Sequence, residues 1–497
     1  MNWKIIAKSL GHPEMRKRIL AVLVILLVFR VLAHIPVPLS DPQTLKQVLE
    51  NLFTSPNTPQ LLSFINVLSG GALANFSIMI AGLGPYINAS IIMQLLTKAI
   101  PKLETMRKEG ESGQRKINQY TRLITFPLAI LQSVGAIYLV RATAQQVGGI
   151  GDITANATLW QWGLMVGALT GGSMLLMWMG ELITERSIGN GISLLITVGI
   201  VSRMPATIGS LVASIFSTKS TWTVFGHVFK ISARSIVYVT LVAVAVVVVT
   251  WVVVKLNEAA RRLTVNYAKR VQGNRTYGGI TTTLPIKLIG AGVVPIIFAV
   301  AFLAVPSFAG QLMSGAGSHR LQSIGAHLTA WFQTPTAQSL AHGGWEAYIY
   351  PVTYFLLVFM FTFFYTSITF NSKEIAENLQ KQGGFIEGVR SGLQTEHYLS
   401  KIVNRLTLFG AIALGLLALL PIIGQAFITN TSIAIGGTSV LILVSVSLET
   451  LRAVESRALM VTYDQYAQPD FFHETTDQDI ENPKKRRFSL IPFRRKK

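Results

Sequence analysis

Little in this 497-residue chain is suited to covalent chemistry. It contains no cysteine, which excludes thiolate nucleophiles, disulfides and cysteine metal sites. Neither H-E-x-x-H nor G-x-S-x-G occurs, so the zinc-peptidase and serine-hydrolase arrangements lack their residues. No Walker lysine follows a glycine-rich loop and no GxGxxG is present, which argues against a nucleotide site. What remains is ionic and acid–base chemistry. Within the apolar stretches the ionisable residues are few: Arg30, Glu181 and Arg203, with Glu449 and Arg452 at an end. Proton and ion relays across a membrane need buried acids. Glu181 lies at the end of an apolar stretch, where an interfacial pair with Arg186 is expected. The chain is read as no enzyme, with no cofactor and no metal.

The elements that would position these residues are membrane helices. Half of the residues are hydrophobic and 13% are charged, with mean hydropathy +0.47. Soluble domains carry about 25% charged residues. The net charge of +20 must therefore be concentrated. Next to long apolar runs, such charge marks the cytoplasmic loops of a membrane protein.

A helix crosses the bilayer core with about 20 apolar residues. Ser235–Val254 has no charge, and 11 of its 20 residues are valine. In lipid such a stretch must be helical, because only a helix satisfies its own backbone. Leu406–Leu448 is uncharged over 43 residues, too many for one span, and Pro421, Gly424 and Asn430 divide it. Ten spans are expected, near 19–35, 78–97, 120–141, 159–182, 190–212, 235–256, 286–306, 348–370, 406–424 and 433–451. The first reads as a signal anchor, preceded either by an interfacial helix carrying Trp3, Ile6 and Leu10 or by a frayed tail. Alternate loops hold 33 of the 43 basic residues, which puts both termini in the cytoplasm.

Two cytoplasmic loops, 255–285 and 371–405, exceed what a connector needs and are expected to contain helical periodicity. The first carries Lys255, Arg261, Arg262, Lys269, Arg270 and Arg275; the second includes Arg390. They suit a cytosolic partner as well as anionic lipid headgroups. The tail 467–497 ends in Arg494-Arg495-Lys496-Lys497 and reads as disordered, with lipid or RNA as its attractor. Segment 62–77 is apolar, too short to span, and interrupted by Ser69-Gly70-Gly71. Non-helical backbone at membrane depth requires a sheltering cavity, so this segment is expected to be a half-helix beside one. The span after it carries Gly82, Gly84, Pro85, Asn88 and Gln94. Asn88 and Gln94 are expected to seek partners on other helices.

The chain resembles the SecY/Sec61-alpha family, the central channel subunits of protein translocases, over about residues 14–466. Ser69-Gly70-Gly71-Ala72-Leu73, Gly84-Pro85-Tyr86-Ile87, Lys108-Glu109-Gly110-Glu111-Ser112-Gly113, Ile188-Gly189-Asn190-Gly191-Ile192-Ser193, Val265-Asn266-Tyr267-Ala268-Lys269-Arg270 and Gly436-Gly437-Thr438-Ser439 carry the resemblance. It implies an all-α polytopic membrane protein with two pseudo-symmetric inverted halves, 1–203 and 234–466, joined by an external hinge at 204–233. Segment 62–77 would be the plug, with Phe64, Ile65, Asn66, Val67, Leu68, Ser69, Gly70 and Gly71 at its centre. Leu83, Ile87, Ile192, Ile196, Ile297 and Ile442 would form the apolar constriction. The i,i+4 spacing within the first two pairs puts each pair on one helix face.

A lateral gate is implied between spans 78–97 and 120–141 on one side and 286–306 and 348–370 on the other, with Asn88, Gln94 and Gln132 as its polar residues. Implied partners are the small membrane subunits SecE and SecG, the SecA motor ATPase, the ribosome through its RNA, secretory and membrane-protein substrates, and anionic lipids. Arg261, Arg262, Lys269, Arg270 and Arg390 would form the docking surface. Arg390 matches the family's functional loop arginine. Its flanks read Glu387-Gly388-Val389-Arg390-Ser391-Gly392, where the family often has proline at 387 and 391. The implied function is a protein-conducting channel of the bacterial plasma membrane that also releases transmembrane segments sideways. The rival reading is a secondary transporter of a small solute, and the scarcity of buried acids counts against it.

Overall fold

The computed structural model describes residues 13–37, 69, 72, 76–148, 158–186, 189–215, 222–224, 227–229, 233–267, 270–272, 275–277, 281–290, 292, 294–314, 319–332, 335, 344–427 and 431–466. The expected interfacial helix at the N-terminus, the tail 467–497 and most of 62–77 lie outside them.

A helix lies over each of the ten expected spans: α1 (Pro13–Leu32), α2 (Gly84–Ala99), α4 (Glu111–Gly148), α5 (Leu159–Glu185), α6 (Gly191–Ile215), α7 (Ala233–Glu258), α8 (Val294–Ser314), α10 (Ile349–Thr369), α12 (Leu393–Phe427) and α13 (Thr431–Tyr466). Short helices α3 (Pro101–Lys108), α9 (His319–Phe332) and α11 (Ser372–Lys381) lie between them. Among the described residues, five helical stretches are by themselves long and apolar enough to cross a membrane. The valine-rich α7 shows why: Val247 is 67% and Trp251 63% exposed. That face needs apolar surroundings, lipid or another membrane helix.

Several boundaries differ from expectation. The second span begins at Gly84, because residues 78–83 form turns with Gly82 at φ +58° and Pro85 sits in the first turn of the helix. The third begins nine residues earlier, since α4 continues into the polar 111–119. Its partner α3 turns back onto it at Gly113, where a Cβ would lie 1.7 Å from the Met106 carbonyl oxygen. The seventh begins at Val294, because 281–287 is a strand. The ninth runs on through Pro421 to Phe427, beginning in water at Leu393.

The loop 255–285 is not helical. After a short hairpin of β1 (Trp222–Val224) and β2 (His227–Phe229), strands β3 (Ala260–Tyr267) and β6 (Thr281–Lys287) pair antiparallel, and β7 (Gly384–Ile386) from the other loop adds to β3 with Val265 opposite Ile386. The reason is a period of two: Leu263, Val265 and Ile286 are buried while Arg262 and Thr264 are exposed. With Leu379, Leu399, Ile402 and Val403 they form a small core outside the membrane helices. Both long loops are thus one folded unit.

Small residues set the helix crossings. A Cβ at Gly191 would lie 1.9 Å from the Gly180 carbonyl oxygen, so α5 and α6 touch through backbone. The Asn190 side chain caps α6, accepting from the Ile192 and Ser193 amides at 3.1 and 3.4 Å. The helices of 13–215 meet those of 233–466 along two seams. α6 packs against α7 and α13; α8 packs against α2 and α4.

Candidate functional site: an apolar collar between two seams

Leu83 ends the turn before α2, with helical dihedrals, and its carbonyl accepts from the Ile87 amide at 2.9 Å. This bond keeps Leu83 and Ile87 one turn apart although the helix starts after Leu83. Ile192 and Ile196 stand in the first turns of α6, Ile297 in the first turn of α8, and Ile442 in α13. Leu83, Ile87, Ile196, Ile297 and Ile442 are each at most 6% exposed, and all five belong to one apolar cluster. Ile192, half-buried, packs against it. That cluster draws on both parts of the chain, and these six side chains, carried by or just before four of its helices, offer no hydrogen bond.

Of the plug residues, only Ser69 is described, and it is fully buried. Phe64, Ile65, Asn66, Val67, Leu68, Gly70 and Gly71 lie outside the described residues. Ala72, also fully buried, belongs to the same large apolar cluster.

The seam of α8 with α2 and α4 is where the gate is expected. α8 is tied to α10 by aromatic edges: the Phe298 ring meets Phe361 at 6.0 Å and Tyr365 at 6.1 Å, both near perpendicular. Gln132 of α4 lies over Gly84, where a Cβ would sit 3.0 Å from its Oε1. Asn88 is half-buried. Gln94 does not reach another helix, since its Nε2 donates to Ser90 Oγ of its own helix at 3.1 Å. Four-residue spacing makes that partner nearer than any neighbour. The Arg107 guanidinium reaches across to the Ile368 carbonyl at the end of α10, at 3.5 Å. Such an end exposes unpaired carbonyls and attracts a cation.

Glu181 pairs with Arg122 of α4 and not with Arg186 as expected. Arg122 Nε donates to its Oε1 at 3.0 Å and a second guanidinium nitrogen lies 2.6 Å from Oε2. Antiparallel packing of α4 on α5 brings a residue 59 positions away closer than one five positions along. Outside the spans, exposed Glu104 is hydrogen-bonded by Lys108 at 3.0 Å, and this holds its carboxyl below the usual range.

The docking residues divide. Arg261 and Arg262 are exposed on β3, and Arg390 is exposed in the turn between β7 and α12. That turn is ordered without the prolines. Val389 N–H donates to Ile386 O at 3.0 Å, Thr395 Oγ1 to Arg390 O at 2.9 Å, and Gly388 and Gly392 take positive φ. Arg270 lies in β4 (Arg270–Gln272), paired with Tyr277 of β5 (Arg275–Tyr277), and Lys269 is outside the described residues.

Sequence reasoning missed Arg107, Arg122, Gly172 and Ser173. The last two had a signal, the run Thr170-Gly171-Gly172-Ser173 inside a span, which invites close backbone approach.

A sequence profile of the SecY family matches residues 77–451. The chain is 38% identical over 465 residues to a protein translocase subunit SecY of Streptomyces galbus, covering 93% of this chain and 98% of that one. It is 39% identical to the protein of the same name from Mycobacterium tuberculosis, covering 92% and 98%. Among solved structures it is similar to one described as a protein-conducting channel, with TM-score 0.58 and 18% identity over 87% of this chain and 91% of that one. It is also similar to Sec61 in the canine ribosome–channel complex of the endoplasmic reticulum, with TM-score 0.55 and 17% identity over 87% and 91%.

Proposed function

This chain belongs to the SecY family, and on that premise we propose that it is the channel subunit through which unfolded polypeptides cross a bacterial plasma membrane. The observation that supports the reading is that Leu83, Ile87, Ile196, Ile297 and Ile442 belong to one apolar cluster drawn from both parts of the chain, with Ile192 packed against it. Apolar walls give a water column no hydrogen bonds, so the closed collar resists ions, yet side chains can yield around a passing chain. A secondary transporter would need a polar midplane site, which such a collar does not supply.

The remaining parts follow as one mechanism. Segment 62–77 acts as the plug under the collar, and the burial of Ser69 and Ala72 supports this. The seam of α8 with α2 and α4 acts as the lateral gate. Because the aromatic contacts couple α8 to α10, these two move as one wall. A signal sequence entering the opened gate partitions into lipid by its apolar content, about 0.8 kcal/mol per buried methylene. The halves 1–203 and 234–466 hinge at 204–233, on the side where α6 meets α7 and α13. Both termini and the folded loop unit face the cytoplasm, as the basic residues require. Arg261, Arg262 and Arg390 on that unit, with Lys269 and Arg270, dock SecA or the ribosome. Anionic headgroups compete for the same cations, and SecE and SecG complete the complex.

Reconstitution tests the function. Vesicles holding this chain with SecE and SecG will take up a secretory precursor, making it protease-resistant, when SecA and ATP are added. Vesicles lacking the chain will not. Equal protection in both would refute the reading.

A further inference from the structure

Residues 77–83 carry no helix, yet every wall around them is fixed. Ser77 is fully buried; its Oγ donates to the Leu32 carbonyl at 2.9 Å and accepts from the Met79 amide at 3.2 Å. The Ile78 amide donates to Ile35 O at 3.1 Å, and the Val37 amide to Phe76 O at 2.9 Å. One side of the segment is thus tied to the end of α1. The other side lies on α5. A Cβ at Gly172 would stand 2.1 Å from the Ile78 carbonyl oxygen, so only glycine admits this approach. Next to it, Ser173 Oγ donates to the Gly82 carbonyl at 3.0 Å.

The Ser173 bond differs from those of most buried threonines in the described helices. Buried Thr97, Thr121, Thr125, Thr197, Thr362 and Thr366 each donate to the carbonyl four residues back in their own helix. That is the ordinary outlet for a hydroxyl inside a helix. Ser173, with no exposure at all, instead reaches another segment 91 residues away. Its acceptor is the carbonyl directly before Leu83, at a glycine whose φ of +58° leaves the chain direction to be set from outside. Gly82 is itself buried, so bulk solvent does not simply replace a lost donor to its carbonyl.

We infer that Ser173 is a positioning residue of the constriction: by holding the Gly82 carbonyl it fixes Leu83, and through Leu83 the first turn of α2 that carries Ile87. Segment 77–83 is therefore a rigid root, clamped between α1 and α5, on which one side of the collar is built. The inference rests on the collar reading. Collar closure depends on van der Waals contact, and a shift of Leu83 smaller than a water molecule's width weakens the seal.

The test compares Ser173→Ala, Ser173→Thr and Leu83→Asn in purified complexes reconstituted with SecE and SecG. Ser173→Ala is expected to raise resting ion flux several-fold and to increase export of a precursor with a defective signal sequence. Its thermal unfolding should stay near that of the unmodified protein. Ser173→Thr, which keeps the hydroxyl, is expected to restore low flux and signal stringency. Equal leak from the Ala and Thr variants would assign the effect to packing and overturn the inference. So would a leak in Leu83→Asn with none in Ser173→Ala, which leaves the collar intact. No leak from either would remove the collar reading itself.

Discussion

Ile87→Asn will hydrate the collar and let resting channels conduct. Ile87 is 3% exposed, and its neighbours in the cluster are all apolar. Burying such a side chain is worth about 1.5–3 kcal/mol relative to water. An amide at this point reverses that preference and offers hydrogen bonds to entering water. Since 1.4 kcal/mol corresponds to a factor of ten, resting ion flux should rise by about one to two orders of magnitude. Ile192→Asn should do the same from α6, more weakly, because Ile192 is only half-buried. Demand for a good signal sequence should relax in both. Flux measured on purified reconstituted complexes, with thermal unfolding as a control for folding, decides the matter. Unchanged conductance in a folded Ile87→Asn complex would contradict the collar.

Arg390→Glu will abolish most SecA-driven export while the protein still inserts and folds. Arg390 is exposed and lies outside the spans, so changing its side chain disturbs no buried packing. Among the described residues its carbonyl accepts from Thr395. The hydrogen-bonded turn fixes the backbone that carries the guanidinium, and charge reversal converts attraction into repulsion at the contact. The expected loss in SecA-dependent translocation is about tenfold or more, by the scale of a truncated charged contact. Arg390→Lys should retain part of the activity, since a lysine keeps the charge without the planar fork. Undiminished SecA-driven transport would show that another arginine does the docking.

The membrane helices were legible in the sequence because lipid imposes a one-dimensional rule: apolar length. The rule fails where helices leave the bilayer. α4 begins at Glu111 and α12 at Leu393, in polar sequence that hydropathy scores as loop. The hairpin of β3 and β6 was legible but misread. Leu263 and Val265 alternate with charged and polar residues at period two, and a helical reading overlooked this. The rigid turn at 78–83 was not legible, since its cause is distant. Gly172 and Ser173 hold it from α5. The same distance hid the partner of Glu181, where Arg122 replaces the local candidate Arg186. Composition could not separate the collar's isoleucines from lipid-facing ones such as Ile208, 56% exposed. Family motifs singled them out; Ile87, Ile196, Ile297 and Ile442 are buried and Ile192 is half-buried.

The central claim is that a polypeptide passes through this collar. Because the chain has no cysteine, single substitutions Ile87→Cys and Ile192→Cys give unambiguous disulfide reporters. A secretory precursor arrested midway, with one cysteine at the arrest point, should crosslink to both positions under mild oxidation. It should not crosslink to Val247→Cys on the exposed face of α7. An arrested precursor that reaches neither Ile87→Cys nor Ile192→Cys, in a complex that still exports, would place the path elsewhere and contradict the account.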